Sequence, residues 1–349
     1  MRGIAVMGVV AFHSHGLFAD MPWRIASVFG IGANGVQLFF VVSGLTMMLS
    51  WHARRDGAAP FYIRRLFRIA PMFWAAIILF GGLHALGWWR SGGGPIDILL
   101  TVLFVHAWSI EAINLVVPGG WTIGVEMTFY ALFPLIAGLV TSRARAVAFL
   151  GLACAAAIAG NTILPHFVQT EVPQDLIFFI YYWFPHALPA FACGCLVYYL
   201  LPIAPRDSRM ASGLLIAVAA IVVASAWGGL RWFSDWDHPL SRALVIPIAS
   251  VMLALALAFV PARLLVNRWT CHVGKVSFSV YLLHFLICEP LVVVFAPVLV
   301  GRFWSVPAFL VSFAAVMGVT VWLAGLTYRT IEKPCIDMGN RLIKRWYPA

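Results

Sequence analysis

Ten stretches of this chain are apolar over lengths that can cross the roughly 30 Å hydrocarbon core of a bilayer. They cover residues 3–18, 29–50, 66–86, 121–140, 144–163, 176–200, 211–227, 241–260, 276–299 and 305–328. Inside hydrocarbon every backbone N–H and C=O must find its partner within the protein, which leaves helices or a closed barrel. Continuous apolar runs of this length fit helices. The expected fold class is therefore an all-α polytopic membrane protein, with about ten transmembrane helices in one bundle. An eleventh run, 96–108, is shorter and reads as a re-entrant or interfacial helix. Composition points the same way, since 62% of the 349 residues are hydrophobic and only 10% are charged, against about 25% charged in soluble proteins.

The net charge of +10 does not read as a nucleic-acid footprint, because the basic residues alternate between loops. With the N-terminus in the cytosol and 96–108 not crossing, eighteen of the 23 Lys and Arg residues fall on the cytosolic side. Arg24, Arg90, Arg231, Arg242 and Arg302 are left outside. Such asymmetry is what the positive-inside rule demands. A full crossing by 96–108 would invert every later loop and put the basic C-terminal tail outside. Both ends are thus expected in the cytosol. Residues 1–349 are read as a single transmembrane domain, the first span as retained rather than as a signal peptide, and no soluble accessory domain is expected. Six cysteines show no disulfide or metal spacing, and Cys193 and Cys195 read as small packing residues.

Ionisable groups inside apolar runs mark function by default, since each costs a few kcal/mol to insert. The first span carries two such positions, Arg2 and His13. They are eleven residues apart, which places them on nearly the same helical face with the histidine about 16 Å deeper. A ligand with an anionic head at the surface and a reactive end reaching inward suits that pair. Arg65 and Arg68, three apart at the start of the third span, share a face. They serve either as topology anchors or as a phosphate clamp, guanidinium matching phosphate bidentately. Glu126 follows Trp121 and Thr122 into the membrane, either as a partner for a buried cation or as a working carboxylate. Ser277, Tyr281 and His284 follow the i, i+4, i+7 pattern and line one face, with His284 open to a packing or a functional role. Glu332 leaves the last span at the cytosolic surface, and Gln37 is a buried amide ahead of Ser43-Gly44 in the second span.

Six motifs occur in order: RGIA from Arg2 with His13 eleven residues on, GVQLFFVVSG from Gly35, RRLFRIAP from Arg64, GGWTIGVEMTFYALFP from Gly119, GKVSFSVYLLHF from Gly274 and YRTIEKP from Tyr328. Together the chain resembles the acyltransferase-3 family of bacterial membrane O-acyltransferases, from residue 2 to about residue 335. The resemblance implies transfer of an acyl group, commonly acetyl, from cytosolic acyl-coenzyme A to a sugar hydroxyl, with no permanently bound cofactor and no metal. The partners it implies are acyl-coenzyme A, a glycan or glycolipid acceptor and the bacterial inner membrane. It assigns Arg2, His13, Arg65 and Arg68 to the functional core and carries the Trp and Glu of another motif onto Trp121 and Glu126, with Thr122 in place of the usual serine. Glu332 matches the acidic residue of the closing motif. Gln37 stands where many members have aspartate, which puts a carboxylate role there in doubt.

The expected catalytic residues are His13 and Glu126. Donor binding is expected at Arg2, Arg65, Arg68 and Glu332, and Trp121, Thr122, Gln37, Ser277, Tyr281 and His284 are expected to shape the acceptor cavity. His13 suits either a general base or a nucleophile that carries the acyl group. A proton-coupled transporter or a flippase of lipid-linked sugars is the competing class, since buried His and Glu also build proton relays. Against it, none of the motifs recurs as an inverted repeat would require.

Overall fold

The protein is described by a computed structural model covering residues 1–15, 18, 21–89, 92–167, 173–203, 207–226, 239–259, 262–263, 265–300 and 304–347. Arg90, Arg206, Arg231 and Arg302 lie outside the described residues, as does the side chain of His15. Every regular element among the described residues is helical. They fall into two compact units, each built from two stretches of chain: Met1–Val42 with Leu200–Gly325, and Ser43–Tyr199 with Leu326–Ala349.

The first unit opens with α1 (Arg2–His15) and α2 (Trp23–Gly30), which a 3-10 turn at Ile31–Asn34 joins to the first turns of α3 (Gly35–Arg54). It continues with α10 (Ser208–Ala226), α11 (Pro239–Phe259), α12 (Arg268–Lys275), α13 (Ser277–Val300) and most of α14 (Ser305–Thr327). The second unit holds the rest of α3, then α4 (Ala58–Ala85), α5 (Pro95–Val102), α6 (Trp121–Leu139), α7 (Arg143–Phe167), α8 (Pro173–Tyr182) and α9 (Phe184–Leu200). It closes with a π-helical turn at Tyr328–Glu332 and α15 (Lys333–Trp346).

Over the described residues each of the ten apolar stretches is mainly helical, although 176–200 is divided between α8 and α9 and 29–50 runs from the end of α2 through the 3-10 turn into α3. Among the described residues six helical segments are long and apolar enough to cross a membrane: Trp23–Arg54, Ala58–Ala85, Trp121–Leu139, Arg143–Leu164, Phe178–Leu200 and Ser305–Trp346. A seventh would be formed by α12 and α13 together, which pass the same test as a pair but are bent by 82° at their junction. The stretches at Arg2–Ser14, Ser208–Ala224 and Val245–Phe259 are apolar but shorter. Run 96–108 holds only seven of the eight residues of α5 and a 3-10 turn at His106–Trp108, too little helix to span.

Small residues set the closest helix contacts. A Cβ on Gly3 would collide with the Thr270 carbonyl of α12, and one on Gly35 with the Ala5 carbonyl of α1. Gly8 and Gly32 meet backbone to backbone. In the second unit a Cβ on Gly44 would strike the Phe191 carbonyl of α9. Without a water-driven hydrophobic effect, such close approach is how membrane helices gain dispersion energy. Cys193 and Cys195 are buried in α9. The core between these helices is otherwise aromatic: Phe129 stacks on Phe191 at 4.1 Å between centroids, and Phe61 on Phe133 at 5.2 Å.

Candidate functional site

In the first unit α1 packs against α12 and α13, and the glycine of the RGIA motif is what permits it. His13, near the far end of α1, is half-buried. Its ring lies 5.2 Å from that of His284 and 4.5 Å from that of Phe285, both on α13. Next to it Ser14 meets Cys288 at 3.5 Å. His284 is fully buried and its Nδ1 donates to the Tyr281 carbonyl at 2.6 Å. Tyr281 and Ser277 are buried as well, so the stripe predicted from spacing forms an interior face of α13. The bend before Ser277 turns that helix away from α12, whose start is capped by Asn267 accepting the Thr270 N–H at 2.9 Å. Gln37 is also buried, and its Oε1 accepts no hydrogen bond from the described residues. Arg2 opens α1 half-buried.

The second unit gathers the carboxyl group. Glu126 Oε1 accepts hydrogen bonds from the hydroxyls of Ser43 on α3 and Tyr130 on its own helix. The guanidinium of Arg65 lies over the Tyr130 ring at 5.4 Å and over the Phe61 ring at 5.5 Å. Spacing alone did not single out Ser43 or Tyr130 as site residues. Tyr130 carries a legible signal, since it sits one helical turn after Glu126. Ser43 was visible only as half of a Ser-Gly packing pair, and its partner could come only from the tertiary fold. The register between α4 and α6 is set by Tyr62, whose hydroxyl donates to the Ala131 carbonyl at 2.8 Å. It brings Arg65 level with Tyr130, midway along the 19 residues of α6. A guanidinium among apolar helices is costly, and two aromatic faces offset part of the cost.

The start of α6 is built to hold this geometry. Gly119 has φ +73° and its N–H donates to Asn114 Oδ1 at 2.8 Å. Thr122 donates to the Gly119 carbonyl at 3.0 Å, so its hydroxyl serves the helix start. His106 donates from Nε2 to the Gly120 carbonyl at 3.0 Å, and a Cβ on Gly124 would run into Ala107 and the His106 ring. His106 is buried outside the long spans, and burial holds its imidazole below the usual histidine range. Trp121 is buried and stacks on Tyr182 of α8 at 4.4 Å. Trp121 and Thr122 are thus engaged in packing and capping.

Arg68, one turn beyond Arg65 on α4, is half-buried. Glu332 is wholly buried in the π-helical turn, which packs against α4. The turn precedes Pro334, a residue with no N–H to continue the ladder, and π-turns inside helices recur at functional positions. At the cytosol-facing loop of the topology expected from sequence, Asp56 accepts two bonds from Arg64 at 2.5 and 2.7 Å, which hold its carboxyl below the ordinary aspartate value. Arg64 is therefore occupied, while Arg65 lies over the Phe61 and Tyr130 rings.

Comparison with known proteins reaches the same region of sequence space. The family model for the acyltransferase domain of the acyltransferase-3 type matches residues 1–329. The exopolysaccharide production protein ExoZ of Rhizobium meliloti (strain 1021) is 28% identical over 324 residues, covering 89% of this chain and 92% of ExoZ. Nodulation protein 10 of Rhizobium leguminosarum bv. viciae is 24% identical over 345 residues, covering 90% and 84%. The O-acetyltransferase OatA of Staphylococcus aureus (strain NCTC 8325 / PS 47) is 21% identical over 376 residues, covering 97% of this chain but 57% of OatA. No solved structure matches.

Proposed function

This chain belongs to the acyltransferase-3 family, and from that premise we propose that it is a membrane O-acyltransferase moving an acyl group, acetyl first among them, from cytosolic acyl-coenzyme A to a sugar hydroxyl of a surface polysaccharide or glycolipid. The names of its relatives, an exopolysaccharide production protein and an O-acetyltransferase, support a glycan acceptor and an acetyl group. The observation that carries the reading is His13: an ionisable, half-buried ring eleven residues past Arg2 on a helix of the first unit. The rise between the two is about 16 Å, comparable with an extended pantetheine arm. Arg2 at the helix start is assigned to the donor's phosphates, as are Arg65 and Arg68 on α4, and the thioester is assigned to His13.

In this reading the neutral imidazole of His13 takes the proton of the acceptor hydroxyl as its oxygen attacks the acyl carbon. The C–S bond breaks, and coenzyme A leaves as a thiolate that recovers the proton. Such general base action is worth typically 10²–10⁴ in rate. An acyl-histidine relay would use the same ring as nucleophile, so both routes place the bond-making step at His13. Glu126, held by Ser43 and Tyr130, is the second residue assigned to the chemistry, and Glu332 supports the arginine-bearing helix α4. Trp121, Thr122, Gln37, Ser277, Tyr281 and His284 are assigned to the walls of the acceptor cavity. Orientation with both ends in the cytosol of the bacterial inner membrane completes the proposal.

The test is transfer of labelled acetyl from acetyl-coenzyme A to surface glycan in a deletion strain complemented at matched membrane expression. His13→Ala is expected to abolish transfer while coenzyme A still binds, and His15→Ala, rotated about 200° around the helix, to retain it. Wild-type transfer by His13→Ala would remove the assignment.

A further inference from the structure

His284 has an interior position that packing alone does not explain. The carbonyl of Tyr281 can only accept, so the 2.6 Å bond from Nδ1 fixes the ring proton there and leaves Nε2 as the lone-pair atom. That atom is buried and no hydrogen bond from the described residues reaches it. Leaving a buried acceptor unfilled carries a desolvation cost, and an apolar side chain would fill the same space without it. What lies beside the ring is His13, 5.2 Å away between centroids, with Phe285 against both rings at 4.5 and 4.0 Å. His13 is half-buried whereas His284 is 0% exposed, so His13 is the ring more open to a substrate.

We propose that His284 is a positioning residue for His13, its Nε2 accepting the N–H of the His13 imidazole, directly or through one water, while His13 carries the proton taken from the acceptor. The inference rests on the reading of His13 as the base. As the acceptor oxygen bonds to the acyl carbon, its proton goes to one ring nitrogen of His13. The thioester C–S bond breaks and the departing thiolate recovers that proton as the thiol of coenzyme A. Throughout, the other ring N–H of His13 is held by His284, and no proton passes to the second ring. The arrangement has the logic of a base oriented by a third group, with a neutral acceptor in place of a carboxylate. A neutral partner suits a site inside hydrocarbon, where a second charge would be costly.

Three variants separate an acceptor at Nε2 from mere bulk. Glutamine carries its amide oxygen to the place of Nε2, asparagine reaches only the place of Nδ1, and leucine fills the volume. With labelled acetyl-coenzyme A as probe and label in surface glycan as readout, His284→Gln is expected to transfer at least tenfold faster than His284→Asn and His284→Leu. All three are expected to bind coenzyme A with wild-type affinity. A difference of less than tenfold between the Gln and Asn variants, whether both are active or both inactive, overturns the proposal, and this comparison stands even if the leucine variant fails to insert. His13→Ala, assayed alongside, keeps the two readings apart. Transfer by His13→Ala defeats the base assignment, whereas an inactive His13→Ala with equal Gln and Asn variants defeats only the role of His284.

Discussion

Placing a carboxyl group inside a membrane-spanning helix is tolerable only where donors surround it, and Glu126 draws two hydroxyls, from Ser43 and Tyr130, onto one oxygen. Tyr130→Phe removes one of them and is expected to cost about 1–3 kcal/mol, read as a lower unfolding midpoint in detergent. The arginines of α4 act on a different observable. A charge-assisted hydrogen bond to phosphate contributes roughly 1.5–3 kcal/mol, so removing either guanidinium, in Arg65→Ala or Arg68→Ala, is expected to weaken coenzyme A binding about tenfold or more. Titration of the solubilised variants checks this, and unchanged affinity in both would sink the phosphate clamp. His106 provides a pH handle outside the long spans. Burial lowers its folded value from 6.5, so below about that pH the unfolded chain binds the proton and the folded one resists it. Stability is therefore expected to fall as pH drops from 6.5 toward the lower folded value, and His106→Gln should flatten that acid dependence of the melting midpoint.

At the scale of elements, glycine decides which helices touch. A methyl on Gly3 has no room beside the Thr270 carbonyl, and backbone cannot step aside as a side chain can. Gly3→Ala is expected to destabilise by about 1–3 kcal/mol, the usual range for overpacking, and to lower transfer because α1 carries His13. Gly81 in α4 is the control, since a Cβ there meets nothing within 4 Å. Gly81→Ala is expected to be neutral or stabilising by up to about 1 kcal/mol on helix propensity alone. Parallel melts of the two variants settle whether close approach or propensity governs these positions. The corner between α12 and α13 and the π-turn before Pro334 have the same character: a local break in a helix that sets where His284 and Glu332 come to lie.

At the scale of the molecule, the chain enters each of its two compact units twice, crossing between them within α3, at the end of α9 and within α14. Orientation in the bilayer is the property to test. A reporter fused after Ala349 is expected in the cytosol, and one inserted near Asp235, outside the described residues, in the periplasm. Finding both on one side would overturn the topology and reopen the question of run 96–108. Sequence alone determined the helical class, because apolar runs in a solvent without hydrogen-bonding capacity admit little else. It also determined which ionisable residues lie within those runs, since residue type and helical period are local properties. The stripe of Ser277, Tyr281 and His284 was legible for that reason. Helix length and continuity were not legible: the 82° corner at α13 depends on what packs around it, and hydropathy averages over such breaks. Only the tertiary structure decided that Ser43 meets Glu126, that Arg65 stands level with the middle of α6, and that His284 stands beside His13. These contacts join residues 83, 65 and 271 positions apart, and the register between helices that creates them is set by side-chain packing and glycine contacts spread over whole interfaces, which no local pattern encodes.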